Sequence, residues 1–221
     1  MEKIHVYFMP GLAASSLIFE RIELPEAIFE THLLDWELPL TNETLKAYAE
    51  RIAKLVTHPD PVLIGVSFGG VLVQEMAQFL KVRKLIIISS VKTNEEVPVK
   101  MKFAKTTKAY KLVPTSWFQN VELIAKFSFG EAIQRRLKLY EKYLSMREKV
   151  YLDWAIEQML LWDRTLPDEN VIHIHGTMDE VFPVKNIKKY IPVEGGTHIM
   201  ILSKSKWLNE NLPKIILENK Q

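Results

Sequence analysis

The sequence predicts an α/β protein built on a mainly parallel, doubly wound sheet. Short apolar runs of strand length alternate with segments whose apolar residues recur at helical spacing. Strands that are apolar throughout are typical of parallel sheets, because helices cover both faces of such a sheet. The alternation is interrupted once, between residues 92 and 166, by a block that carries only helical patterns. The sequence therefore predicts one α/β core with a single large helical insertion.

Six strands and a series of helices are predicted, each bounded by turn-forming residues or by a change of periodicity. The predicted strands are residues 4–8, 31–34, 62–66, 85–88, 171–175 and 190–193. The predicted helices of the core are residues 15–22, 44–56, 69–80, 184–189 and 199–216. The predicted helices of the insertion are residues 97–113, 116–127, 131–143 and 149–162, with Pro114 and Gly130 between them.

The insertion divides the predicted organisation into two parts. Residues 1–91 and 167–221 form the core, and residues 92–166 form a block far longer than an ordinary connection. One interpretation of this block is a second small domain. The other is a cap over a site at the carboxyl ends of the strands, which is where open parallel sheets bind ligands.

Composition limits the function classes. The chain has 221 residues, 48% hydrophobic and 25% charged, which is typical of a folded soluble domain. The absence of cysteine excludes disulfides, thiolate metal sites and a cysteine nucleophile. A net charge of +2 does not indicate nucleic-acid binding. We expect a cytoplasmic protein without stable membrane anchoring, because no secretory signal and no long apolar span are recognisable.

The strongest local motif is Gly65-Val66-Ser67-Phe68-Gly69, which follows a predicted buried strand and opens a predicted helix. A serine on a sharp strand-to-helix turn needs neighbours without bulk, and Gly65 and Gly69 meet that need. The helix start directs free N–H groups and a positive dipole end at the same spot. The motif therefore predicts a nucleophilic Ser67 with the Phe68 N–H as an oxyanion donor. The alternative is an ordinary turn with a capping serine.

A serine nucleophile requires a base that is held by a carboxylate. Asp179 follows the predicted strand at 171–175, and His198 follows the predicted strand at 190–193. The chain order serine, aspartate, histidine is the order expected of a triad on this architecture. Glu180, next to Asp179, is the alternative acid.

These segments resemble the α/β-hydrolase-fold serine hydrolases over nearly the whole chain outside the insertion. The segments that carry the resemblance are Pro10-Gly11-Leu12, Gly-Val-Ser-Phe-Gly at 65–69, the Gly-Thr-Met-Asp…Pro run at 176–183 and Gly-Gly-Thr-His at 195–198. Two features depart from many members. The antiparallel strand pair that precedes the first parallel strand has no room here, and Met9-Pro10-Gly11 lacks a histidine before the glycine.

The resemblance implies a fold and a set of roles. The fold is the α/β-hydrolase fold without its first antiparallel strand pair, with a helical cap inserted before the penultimate strand. Ser67 is the implied nucleophile, His198 the general base and Asp179 its orienting acid. The loop after the first strand supplies the second oxyanion N–H, from Leu12, with Ala13 as the next candidate. No metal or organic cofactor is implied.

The expected function is hydrolysis of a carboxylic ester or thioester of a small apolar molecule through an acyl-enzyme. The same triad on the same fold also serves lyases, carbon–carbon hydrolases and acyltransferases, so these remain alternatives. A sensor that binds a small ligand without turnover is the non-enzymatic alternative. Nothing in the sequence indicates the oligomeric state.

The other histidines are interpreted as structural. His173 and His175 share one face of a predicted strand, a spacing that is also found in metal sites, but the residues after them lack the further ligands such a site needs. We expect His175 to form a hydrogen bond beneath the loop that carries Asp179. Three further histidines have no recognisable partners: His5, His32 and His58.

Overall fold

The computed structural model of the chain describes residues 2–107 and 142–218. Their six strands form one sheet in the order β2-β1-β3-β4-β5-β6, and all neighbouring strands in it are parallel. The strands are β1 (Ile4–Met9), β2 (Phe29–Leu33), β3 (Val62–Val66), β4 (Lys84–Ile88), β5 (Val171–Gly176) and β6 (Ile191–Val193). The predicted parallel α/β class is confirmed.

The described helices connect these strands. They are α1 (Leu45–Ala53), α2 (Phe68–Met76), α3 (Val99–Thr107), α4 (Lys149–Leu161), α5 (Met200–Ser203) and α6 (Ser205–Leu217). Two short 3₁₀ helices span Ser16–Phe19 and Val184–Asn186, where the sequence predicts longer helices. Thr44 caps α1, because its side-chain oxygen accepts the Ala47 N–H at 3.2 Å.

Both faces of the sheet are covered, because side chains alternate along each strand. Tyr7 and Met9 of β1 pack into the core on the side of α1 and α2. Val6 and Phe8 pack into the core on the side of α6. The central strands β3 and β4 are buried along their whole length, which accounts for their apolar sequences apart from Lys84 at the start of β4.

The predicted boundaries differ from the observed ones at one strand and at several helix ends. Strand β2 is Phe29–Leu33, whereas the sequence predicts residues 31–34, and the other strands agree to within one residue. Helix α2 ends at Met76 instead of Leu80, and the chain continues with tighter turns in which Gln78 N–H bonds to Glu75 O and Phe79 N–H to Met76 O. The predicted helix 199–216 is two helices that meet at Lys204. Its apolar residues keep helical spacing across that break, so the hydrophobic pattern does not reveal it.

Part of the predicted insertion lies outside the described residues. The predicted helix 116–127 is wholly outside them, as are most of 131–143 and the end of 97–113. The predicted helices that are described in this block correspond to α3 and α4. Among the described residues, no helix has the length and apolar character needed to cross a membrane.

The order of the strands creates a crevice between β1 and β3. After β1 the chain passes to β2, which lies on one side of β1, and it then returns to β3, which lies on the other side. The loops after β1 and β3 therefore run in opposite directions and leave a gap between them. Ligand sites of open parallel sheets lie at such a switch point, outside the carboxyl ends of the strands. Leu12 follows β1 and Ser67 follows β3, so both lie at this crevice.

Candidate active site

Ser67 lies on a strained turn between β3 and α2. Its φ of 53° and ψ of −120° are rarely adopted by residues other than glycine, so surrounding contacts must hold the turn in place. The Ser67 N–H donates to Ile88 O at 3.0 Å, and the Ser90 hydroxyl donates to Ser67 O at 2.7 Å. The turn is therefore anchored to the end of β4.

The two motif glycines allow backbone segments to pack directly on each other. A Cβ on Gly65 would lie 2.3 Å from Gly69 O, and a Cβ on Gly69 would lie 2.2 Å from Pro10 O. Both distances are far below any permitted contact, so a side chain at either position forces the backbone to move. The turn that carries Ser67 depends on these two close contacts between backbone segments.

Ser67, His198 and Asp179 form a hydrogen-bonded row. His198 Nε2 lies 3.0 Å from Ser67 Oγ, and His198 Nδ1 lies 2.9 Å from Asp179 Oδ2. The three residues follow β3, β6 and β5, so three loops at one edge of the sheet bring them together. The Asp179 side chain is fully buried, whereas the imidazole of His198 is partly exposed.

The hydrogen bonds determine the tautomer of His198. A carboxylate only accepts hydrogen bonds, so Nδ1 carries the proton and Nε2 is free to accept the Ser67 hydroxyl proton. Burial alone would raise the pKa of Asp179, but its bonds to His198 and to the Phe182 N–H outweigh burial and lower this pKa below its ordinary value. Asp179 is therefore ionised at neutral pH.

The loop after β5, residues 177–183, holds Asp179 in place and is called the acid loop below. Asp179 Oδ1 accepts the N–H groups of Val181 and Phe182 at 2.8 and 2.9 Å. His175 Nε2 donates to Phe182 O at 2.8 Å, which agrees with a hydrogen-bonding role beneath this loop. Glu180, the alternative acid, is exposed, and the carboxylate that contacts His198 is that of Asp179.

Two backbone N–H groups at the crevice are free to bind an oxyanion. Within residues 2–107 and 142–218, neither the Leu12 N–H nor the Phe68 N–H donates a hydrogen bond to another protein group. The Ala13 N–H, in contrast, donates to the Tyr151 hydroxyl at 3.4 Å, which favours Leu12 over Ala13 as the second donor. A Cβ on Gly11 would lie 3.9 Å from Ser67 Oγ, so this loop lies beside the hydroxyl.

A cavity of about 660 Å³ opens beside the Ser67 hydroxyl. Most of its lining is apolar and comes from the loop and the 3₁₀ helix after β1, from α3, α4 and α5, and from the acid loop. These residues include Leu12, Ile18, Met101, Met159, Phe182 and Ile201. Cavities of this size and character bind small, largely apolar molecules.

His5, His32 and His58 lie together, so the expectation that they have no partners is wrong. They come from β1, β2 and the segment before β3, and parallel pairing of β1 with β2 places Tyr7 opposite His32. Their nearest nitrogens lie within 4.8 Å of one another. However, the rings of His5 and His58 are stacked, with 3.6 Å between centroids and 11° between planes. Nearly parallel stacked rings cannot direct lone pairs at one ion, so this arrangement is an aromatic stack and not a formed metal site.

Two side chains that the sequence analysis did not single out contact the loop after β1, which contains Gly11, Leu12 and Ala13. Trp36 donates its indole N–H to Gly11 O at 2.8 Å, and the Tyr151 hydroxyl accepts the Ala13 N–H. The position of Trp36 shortly after β2 places it at the same edge of the sheet as the triad, and this signal was present in the sequence. Tyr151 lies in α4, within the predicted insertion, and no local pattern relates it to the loop.

Known proteins resemble this chain in structure. No family model matches the sequence, and no curated protein matches it. A hydrolase from Pseudomonas aeruginosa superposes with a TM-score of 0.71 at 13% identity, covering 98% of this chain and 91% of its own. An α/β-hydrolase fold protein from Burkholderia ambifaria gives 0.66 at 14% identity, covering 96% and 91%. An esterase from Exiguobacterium antarcticum gives 0.64 at 18% identity, covering 98% and 93%.

Proposed function

The chain has the α/β-hydrolase fold, and on that premise we propose that it is a serine hydrolase of carboxylic esters or thioesters. The observation that carries the proposal is the row from Ser67 to His198 to Asp179, which opens on an apolar cavity. Fold alone does not imply activity, so the proposal rests on this geometry.

The proposed reaction proceeds through an acyl-enzyme. Ser67 Oγ attacks the ester carbonyl carbon while its proton passes to His198 Nε2. The C–O or C–S bond to the leaving group then breaks, and the leaving group takes the proton from His198. Water, deprotonated by His198, attacks the acyl carbon. The bond to Ser67 Oγ then breaks, Oγ takes the proton back from His198, and the carboxylic acid is released. Asp179 stabilises the imidazolium that forms in each half of the reaction.

Two N–H groups stabilise the charge that develops on the carbonyl oxygen. The Phe68 N–H and the Leu12 N–H are unpaired within the described part of the chain, and both residues line the cavity. Donors that are already in place and face a cavity of low polarity stabilise an oxyanion more strongly than water does. No metal or cofactor is required for this chemistry.

The substrate is proposed to be a small molecule with an apolar acyl or alcohol part. Met101 and Met159, which line the cavity, both belong to the insertion at 92–166, which supports a cap over the site. Methionine side chains adapt to irregular apolar ligands, so a range of short and medium alkyl chains should fit.

Replacement of the nucleophile tests the proposal. The wild type should hydrolyse p-nitrophenyl esters, whereas Ser67→Ala should lower kcat by about 10³-fold or more, because the bond-forming oxygen is gone. Ser203→Ala removes an exposed hydroxyl on α5 and should keep wild-type kcat. Circular dichroism should show that both variants are folded. Equal turnover by Ser67→Ala and wild type would contradict the assignment.

Covalent labelling provides a second measurement. A fluorophosphonate should modify the wild type on the peptide that contains Ser67, as identified by mass spectrometry, and should leave Ser67→Ala unmodified. Modification of a different serine would overturn the role of Ser67. Modification of Ser67 without turnover of any ester, thioester or amide would instead favour a ligand sensor.

A further inference from the structure

Trp36 contacts both segments that carry the proposed oxyanion donors. Its indole is buried just beyond β2, and the indole N–H donates to Gly11 O at 2.8 Å. The same ring stacks on the side chain of Phe68, with 5.1 Å between centroids and 11° between planes. One side chain thus joins the residue before Leu12 to the residue after Ser67.

The hydrogen bond to Gly11 restrains the Leu12 N–H through a single peptide unit. Gly11 O and the Leu12 N–H belong to the same planar trans peptide, so they point in opposite directions. Gly11 O accepts two hydrogen bonds, from the Trp36 indole and from the Ala14 N–H at 3.1 Å. With its carbonyl held on one side, the peptide presents the Leu12 N–H on the other side, away from Trp36.

We propose that Trp36 is a positioning residue for the oxyanion hole: it orients the Leu12 N–H through Gly11 O and supports Phe68 by stacking. Within the described residues, the hydrogen bond of Trp36 is to Gly11 O and its ring contacts are with Tyr48, Phe68 and Tyr151, so it acts through the donors and not on Ser67 or His198. This inference rests on the proposed serine hydrolase function and adds a residue that determines how well that site stabilises a developing oxyanion.

A positioning role and a merely structural role have different kinetic consequences. An oxyanion donor acts on charge that is present in the transition state and absent from the bound substrate. Misorientation of the Leu12 N–H therefore lowers kcat and leaves KM nearly unchanged. A loss of packing lowers the melting temperature without this selective effect on kcat.

The chain offers a matched control for the loss of a buried indole hydrogen bond. Trp154 is also buried and donates its indole N–H to Glu43 O at 2.7 Å. It packs against Tyr48 with 4.5 Å between ring centroids and lies edge-on to Phe68 at 6.2 Å, where phenylalanine keeps an aromatic ring. Its hydrogen bond is to Glu43 and not to the loop after β1. Trp154→Phe therefore removes a comparable bond without releasing the Gly11 peptide.

The experiment compares Trp36→Phe with Trp154→Phe on a p-nitrophenyl ester that the wild type hydrolyses. Trp36→Phe should lower kcat about 10- to 50-fold with KM within twofold, and Trp154→Phe should stay within threefold of wild type in both constants. An alkyl trifluoromethyl ketone, which forms a tetrahedral oxyanion adduct with serine, should bind Trp36→Phe more weakly by the same factor by which kcat falls.

A second replacement distinguishes the effect of losing the indole N–H group from the effect of changing the shape of the ring. Incorporation of 3-benzothienylalanine at position 36 puts sulfur in place of the indole N–H and keeps the stacking surface. The same selective loss of kcat in this folded variant supports the proposal even where Trp36→Phe fails to fold.

The possible failures are distinguishable. Values within threefold of Trp154→Phe for the replacements at position 36, or a rise in KM alone, would overturn the role of Trp36. A wild type that neither turns over esters nor is labelled at Ser67 would instead overturn the proposed function.

Discussion

The turn at residues 65–70, called the nucleophile turn because it carries the proposed nucleophile, and the acid loop hold Ser67 and Asp179 in different ways. In the nucleophile turn, backbone packs directly on backbone, because a Cβ on Gly65 or Gly69 would lie within 2.3 Å of a carbonyl oxygen. In the acid loop, backbone N–H groups and His175 form hydrogen bonds that fix Asp179 and Phe182. The nucleophile turn thus depends on the absence of side chains at two positions, whereas the acid loop depends on hydrogen bonds.

The difference predicts how each region responds to substitution. A side chain that overlaps a backbone atom cannot be accommodated by a small adjustment, because either the neighbouring segment must move or the turn must open. A lost hydrogen bond has a graded cost, which depends on what is left unpaired. The nucleophile turn should therefore respond in an all-or-none manner, whereas the acid loop should show intermediate effects and a dependence on pH.

The largest effect is expected for Gly69→Ala. Its Cβ would overlap Pro10 O, so we expect the free energy of unfolding to fall by about 4 kcal/mol, which lowers the melting temperature by about 10 °C for a chain of this length. Esterase activity should be lost together with the turn. Differential scanning calorimetry and p-nitrophenyl ester assays measure the two effects.

Gly11→Ala is the graded control for that experiment. Its Cβ would lie 3.3 Å from Ser67 Cβ and 3.5 Å from Val66 O, and a shift of a few tenths of an ångström relieves these contacts. We expect a smaller loss of stability and measurable residual activity. Equal effects of Gly69→Ala and Gly11→Ala would remove the distinction between overlap with a backbone carbonyl and a tight contact that can relax.

Asp179→Asn should produce the next largest effect, on catalysis with little change in fold. The amide can still accept the N–H groups of the acid loop, but then it directs its NH₂ at His198 and favours the tautomer that cannot take a proton from Ser67. We expect kcat to fall about 10³- to 10⁴-fold, measured by steady-state kinetics. Glu180→Gln is the control and should keep kcat within threefold. Reversal of these two results would make Glu180 the acid.

The smallest effect is expected in the dependence of stability on pH. Burial, reinforced by the neighbouring His175, lowers the pKa of His173 well below its ordinary value. The unfolded chain takes up a proton on this residue below about pH 6.5 and the folded chain does not, so stability that is present above that pH is lost as the pH falls.

His173→Gln should reduce this loss by about 1 kcal/mol per pH unit between pH 6.5 and 5.5. Urea unfolding at several pH values measures the slope, and Trp154→Phe, which changes no titratable group, should keep the wild-type slope. An unchanged slope in His173→Gln would show that burial does not keep His173 neutral. Residues 65–70 contain no titratable side chain, so the nucleophile turn should contribute nothing to this dependence.

Much of the fold could be predicted because a buried strand is recognisable from a few consecutive apolar residues. The strand 62–66 is predicted at its observed boundaries, since its apolar run begins after Pro61 and ends at the turn that carries Ser67. Helix ends were predicted less well, because the hydrophobic pattern continues past the point where hydrogen bonding changes. The end of α2 and the break at Lys204 are the two examples.

The local sequence was enough to indicate the candidate residues Ser67, Asp179 and His198, because a glycine-flanked turn and residues that directly follow strands are recognisable within a few positions. The contacts of Trp36 with Gly11, of Tyr151 with Ala13 and among the three stacked histidines depend on which strands and helices become neighbours. That arrangement results from burying apolar surface over the whole chain, which brings together residues 25 to 138 positions apart.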